Sequence, residues 1–222
     1  CDNPDAQILP TLKPDILAPG GRGSGVAQDN ICFSANCLAE NAAGTSLASP
    51  HVAGAAALIL QSLSPQDGDK ARTVKAILME SAHLIEGNFD QTPFEQGAGR
   101  LDVTAAVQTK AMVLPSSLNL GRANCGTDTV FTVPLTLRNY RLMPTQFTLD
   151  FTYRQDPTKP YQWTVTFDGF APPYTVDVDT SGIPGIPYEK TVTATFTLIY
   201  QYPTPQPPPP SIAYEGWIKA TP

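Results

Sequence analysis

Apolar and polar positions follow two different rhythms along this chain. Ala48 to Leu63 is apolar or small on every side, which predicts a helix buried all round. Asp69 to Leu84 sets Val74, Ile77, Leu78 and Ala82 at helical spacing, so it reads as an amphipathic helix with Asp69 as its cap. Gln96 to Val103 reads as a glycine turn into a short extended piece, and Asp102 to Thr109 as a last short helix. From about Met112 the period shortens to two. Segments rich in Thr, Val, Phe and Tyr predict strands at Thr129–Leu137, Gln146–Tyr153, Trp163–Phe167, Tyr174–Val178, Thr191–Ile199 and Ala213–Lys219. Pro, Gly, Asn and Asp mark the turns between them. The pattern divides the chain into an α/β part, residues 1–110, and an all-β part, residues 111–222, read as an antiparallel sandwich of six or seven strands.

Pro203 to Pro210 holds six prolines in eight positions, which forbids a helix or a central strand there. A good strand follows it, so a stiff loop is the preferred reading over a polyproline ligand. With 222 residues, 41% of them hydrophobic, the chain has enough material for one large or two ordinary domains. No apolar run reaches membrane-spanning length, and no basic segment leading into an apolar stretch opens the sequence, so neither a membrane span nor a signal peptide is expected within it. The net charge is −6, with twelve acids against seven bases in residues 1–110 and eight against seven in 111–222. No basic block exists, which argues against a nucleic-acid partner.

The segment with chemical content is Gly44-Thr45-Ser46-Leu47-Ala48-Ser49-Pro50-His51-Val52-Ala53-Gly54. A serine hydroxyl is a weak nucleophile until a general base takes its proton and donors hold the oxyanion. A Gly-Thr-Ser corner feeding a helix exposes Ser46 at a fixed point, where unpaired backbone N–H groups and the helix dipole favour negative charge. Pro50 is expected in the first turn, where its missing N–H costs little. His51 follows Ser46 by five residues, which at about 100° per residue leaves it about 140° from the serine direction. His83, the other histidine, reads as an exposed or capping residue at a helix end.

These eleven residues resemble the serine signature of the subtilisin-like serine proteases, the subtilases. Lys13-Pro-Asp-Ile-Leu-Ala-Pro-Gly20, Val74 to Ala82 and Gly97 to Val103 resemble three further segments of that family in the same order. The strand pattern after Met112, ending in Tyr214-Glu-Gly-Trp-Ile-Lys219, resembles the fibronectin-III-like domain that follows the catalytic domain in many large subtilases. The resemblance implies the C-terminal part of a parallel-sheet catalytic domain followed by a fibronectin-III-like sandwich. It implies a serine endopeptidase in which Ser46 is the nucleophile and its own N–H one oxyanion donor. Ala42, Ala43, Gly44 and Thr45 would flank the substrate cleft.

The family's His-Gly and Asp-Ser/Thr-Gly motifs do not occur before Ser46, and Asn30, Asn36 and Asn41 do not match its oxyanion asparagine. The chain is therefore read as the serine-bearing part of an enzyme whose catalytic His and Asp lie in other sequence, inactive by itself. Its partners would be a polypeptide substrate and that N-terminal part. The competing reading is a non-catalytic binding or structural module descended from a subtilase. Residues 1–110 alone are expected to be poorly stable, since a sheet that starts in mid-domain leaves an unpaired edge. Asp15 is read as structural, and Trp163 and Trp217 as core or interface residues rather than ligand platforms.

Cys32 and Cys37 enclose four residues and are read as a small disulfide, against two free thiols, while Cys1 and Cys125 have no assigned partner. This usage and the resemblance point to a secreted or cell-surface protein. No cofactor is required by the chemistry; calcium enters by resemblance alone, with no ligands identifiable. Leu47 stands where many subtilases carry an oxidisable methionine. The complete enzyme is therefore expected to keep its activity in peroxide. Rapid inactivation with oxidation confined to the active site would contradict this.

Overall fold

A computed structural model of the chain describes residues 13–21, 44–63, 68–85, 93–120, 128–153, 161–200 and 216–221. Four helices come first: α1 (Thr45–Ser62), α2 (Lys70–Glu80), α3 (Pro93–Gln96) and α4 (Val103–Gln108). Asp69 caps α2 by accepting the Arg72 N–H at 3.3 Å, and Asp102 caps α4 by accepting the Ala105 N–H at 2.8 Å. Helix α2 ends at Glu80, short of the expected Leu84. Beyond it His83 leaves the helix to exchange two backbone hydrogen bonds with Arg100, at 2.9 and 2.7 Å.

The helices share a core of Ala55, Ile59, Val74, Ala76, Ile77, Leu78 and Ala106. Helix α1 is not buried all round, as its composition predicts. Only Ala55 and Ile59 are fully enclosed, whereas Leu58 and Leu60 are 48% and 44% exposed. One stripe of α1 meets α2 and α4, and Leu58 and Leu60 lie outside that core. The parallel sheet expected in this half is represented there by a single parallel bridge, Leu17 to Arg100.

Residues 13–20 run along the glycine turn that follows α3. The Leu17 N–H donates to the Gly99 carbonyl at 2.8 Å, the Leu101 N–H to the Leu17 carbonyl at 2.7 Å, and the Ala98 N–H to the Asp15 carbonyl at 3.0 Å. Asp15 is indeed held structurally: its carboxylate pairs with Lys13 and, at 2.8 Å, with Lys75 on α2. Partial burial alone would raise its pKa, but the two ammonium groups reverse that and hold the carboxyl below the ordinary aspartate range.

The second half forms two antiparallel sheets. One has the order β1-β2-β6-β4, from β1 (Ala111–Leu114), β2 (Thr129–Asn139), β6 (Tyr188–Tyr200) and β4 (Tyr161–Phe167). The other has the order β5-β3-β7, from β5 (Tyr174–Val178), β3 (Thr145–Tyr153) and β7 (Gly216–Thr221). Strands β2 and β6 pair without interruption from Thr129↔Leu198 to Asn139↔Tyr188. Alternate residues of both sheets, among them Leu135, Leu137, Phe147, Leu149, Val176, Val178, Ala194 and Phe196, meet in one core, as period-two patterning requires. Trp163 lies half-buried against Phe131 and Phe196, with ring centroids 6.3 and 6.4 Å away. Its edge-to-face contact with Phe196 is a packing role.

Strand β1 joins the two halves. Ala111 and Val113 enter the core of the sheets, while Met112 and Leu114 enter the core of the helices. Arg138 crosses the same junction: its Nη1 donates to the fully buried Thr73 Oγ1 on α2 at 3.0 Å, and its Nε lies 2.7 Å from Glu189 Oε1, its cross-strand neighbour.

Two expectations follow. Residues 1–110 expressed alone lose Met112 and Leu114 from their core, so they should melt without a cooperative transition; a sharp calorimetric melt of that piece would refute the shared core. Because the Asp15 pKa is depressed by folding, its contribution is complete above the ordinary value of 3.8 and is lost as pH falls through the lower folded value. Asp15→Asn should therefore lower stability near neutrality and converge with the unsubstituted chain below pH 3.8, as read by denaturant unfolding across that range.

Candidate active site

Ser46 is the second residue of α1 and is exposed. The corner before it depends on Gly44, whose φ of 152° lies outside the range that side-chain-bearing residues ordinarily adopt. The Leu47 N–H returns to the Gly44 carbonyl at 3.0 Å, closing the first turn. The Gly44 N–H donates to the Gly20 carbonyl at 2.7 Å, so the corner is seated on the segment that Asp15 anchors. The N–H groups of a first helical turn have no intrahelical acceptors, so the Ser46 N–H is available to an anion placed beside the hydroxyl.

Pro50 lies inside α1, not in its first turn as the sequence alone suggests, because the helix begins at Thr45. An α-helical carbonyl takes its hydrogen bond from the residue four positions on, and a proline there has no N–H to give. The Ser46 carbonyl therefore has no intrahelical donor. Gly44 and Thr45 are exposed beside Ser46, and Ala42 and Ala43 lie outside the described residues.

The structure engages both histidines elsewhere. His51 donates from Nδ1 to the Leu47 carbonyl at 2.8 Å, one turn back along its own helix, which fixes the ring against the backbone. His83 is exposed and its Nε2 lies 3.0 Å from Asp102 Oδ2. Asp102 thus serves twice, as the cap of α4 and as the partner of His83. Its carboxyl is held below the ordinary aspartate range, first by the Ala105 N–H and further by His83. The histidine–carboxylate pair was not legible in the sequence, although the glycine turn at Gly97–Arg100 and the short helix beginning at Asp102 lie next to it. It joins the ends of α2 and α4, and no hydrogen bond connects it to Ser46. Among the described residues, then, an exposed hydroxyl and a backbone donor are present at the corner without an imidazole on Ser46 Oγ.

Cys1, Cys32, Cys37, Cys125, Asn30, Asn36, Asn41 and the Pro203–Pro210 segment all lie outside the described residues, as does the side chain of Trp217. No three carboxylate, histidine or cysteine side chains cluster as a metal site among the described residues. No helix among them is long and apolar enough to cross a membrane.

Residues 5–99 match the Subtilase family of peptidases. Over 121 residues the chain is 36% identical to the subtilisin-like protease SBT2.2 of Arabidopsis thaliana, covering 46% of this chain and 14% of that protein. It is 36% identical over 108 residues to the membrane-bound transcription factor site-1 protease of Mus musculus, covering 48% of this chain and 9% of that protein. A longer match, 29% identical over 203 residues, to the subtilisin-like protease SBT1.7 of Arabidopsis thaliana covers 82% of this chain and 24% of that protein. The chain thus spans less than a quarter of the length of these relatives. The helical half of the chain, with the Ser46 corner at its centre, matches a family of serine peptidases.

Proposed function

We propose that this chain is the nucleophile-bearing part of a secreted serine endopeptidase of the subtilase type. Ser46 Oγ attacks the peptide carbonyl, the acyl-enzyme forms as the amine leaves, and water releases the acyl group. The Ser46 N–H stabilises the oxyanion, and Gly44 and Thr45, with Ala42 and Ala43, flank the cleft. The general base, its orienting carboxylate and a side-chain oxyanion donor come from sequence outside this chain, so the chain alone is inactive. Residues 111–222 act as a fibronectin-III-like sandwich packed on the peptidase part. Cys32 and Cys37 form a local disulfide, and the ligands of any calcium are unassigned.

The observation that carries this reading is the agreement of motif and geometry at one point. The Gly44–Gly54 residues, which resemble the family's serine signature and fall within the matched stretch, hold Ser46 exposed at the start of α1, on a glycine corner seated on a second matched segment. One observation favours a second reading, a non-catalytic module built on a subtilase scaffold: both imidazoles among the described residues are engaged away from Ser46.

A fluorophosphonate probe separates the two. In the complete protein Ser46 is expected to be labelled, and Ser46→Ala to lose labelling and peptide hydrolysis together while keeping its melting temperature. A folded complete protein that leaves Ser46 unmodified would establish the non-catalytic reading.

A further inference from the structure

The corner that presents Ser46 is in contact with a residue that the reaction above does not use. Gly20 accepts the Gly44 N–H at 2.7 Å. A Cβ on Gly20 would lie 2.6 Å from the Gly44 carbonyl oxygen, 3.1 Å from Ala48 Cβ and 3.3 Å from Ala48 N. The next residue, Gly21, is different: a Cβ there meets nothing within 4 Å among the described residues. Two adjacent glycines therefore have opposite surroundings, one closed by the corner and one open.

We infer that Gly20 is a positioning residue for the nucleophile, setting the place of Ser46 through backbone contact with Gly44. The inference rests on the serine-peptidase reading of Ser46. Its physical basis is the unequal stiffness of the two sides of the contact. The Gly20 side is anchored by hydrogen bonds of Leu17 to Gly99 and of Leu101 to Leu17, and by the Asp15–Lys75 pair. The Gly44 side is an exposed corner. A side chain at Gly20 therefore displaces the corner rather than the segment beneath it. Restoring an ordinary contact of 3.4 Å from 2.6 Å moves Gly44 by about 0.8 Å. A nucleophile misplaced by about 1 Å loses rate by about 100-fold.

The test compares Gly20→Ala with Gly21→Ala in the complete protein. Three quantities are read: the rate of fluorophosphonate labelling at Ser46, kcat and KM on a peptide substrate, and hydrogen exchange at the Gly44 amide. Gly20→Ala is expected to slow labelling and lower kcat by about 100-fold with KM within about twofold, while Gly21→Ala changes neither. The Gly44 amide should be protected in the unsubstituted protein despite its exposed position, and lose that protection in Gly20→Ala alone. Equal labelling rates per folded molecule in the two variants would overturn the inference, even if Gly20→Ala melts at lower temperature. Should Gly20→Ala fail to fold, the unsubstituted protein decides: a protected Gly44 amide supports the contact, and one exchanging at the unstructured rate refutes it. If the unsubstituted protein does not label at all, the peptidase reading falls separately, and the difference in Gly44 protection between the two variants still decides whether Gly20 holds the corner.

Discussion

The pleat of a four-residue strand governs this molecule. Successive side chains of β1 point to opposite faces, so Ala111 and Val113 complete one hydrophobic core while Met112 and Leu114 complete the other. A helix-to-sheet junction could have been a flexible tether. Here it is a strand buried on both faces, with Arg138 fastening β2 to Thr73 of α2 beside it. The core of the helices is not whole without residues that follow the compositional change near residue 110.

The second organising contact is between main chains. Segments that are distant in sequence, residues 13–20, 44–47 and 97–101, meet through backbone hydrogen bonds. Side chains specify this meeting only indirectly, through Asp15, Lys75 and the close approach of Gly20 to Gly44. Such a frame fixes where a hydroxyl stands while leaving its surroundings to whatever packs against it. On the proposed reading, this is how the chain presents a nucleophile whose base comes from elsewhere.

Much of this was legible in the sequence because the signals were local. Period-two alternation marked β5 at Tyr174–Val178 and placed β2, β3, β4 and β6 within a few residues of their ends. Asp69 announced the start of α2, and the eleven-residue motif announced the Ser46 corner. Strand β1 was missed because its four residues are apolar on both faces and show no alternation. The entry of Pro50 into the helix was missed because a start point one turn later fitted the pattern equally well. The His83–Asp102 pair depends on a nineteen-residue return of the chain, which no local window contains. Burial of α1 was overestimated, because composition reports what a helix is able to bury and only its neighbours decide what it does bury.

Helix α1 answers to two masters. Its C-terminal half is fixed by side-chain packing of Ala55 and Ile59 on α2 and α4. Its N-terminal end is fixed by the main chain of a segment some two dozen residues earlier, with Pro50 withholding one rung of the ladder between the two regions. The two ends can therefore drift independently over evolutionary time. Apolar residues in the second half are free to be exchanged for others of similar volume without disturbing the serine, whereas variation at the corner is confined to what the opposing backbone will admit.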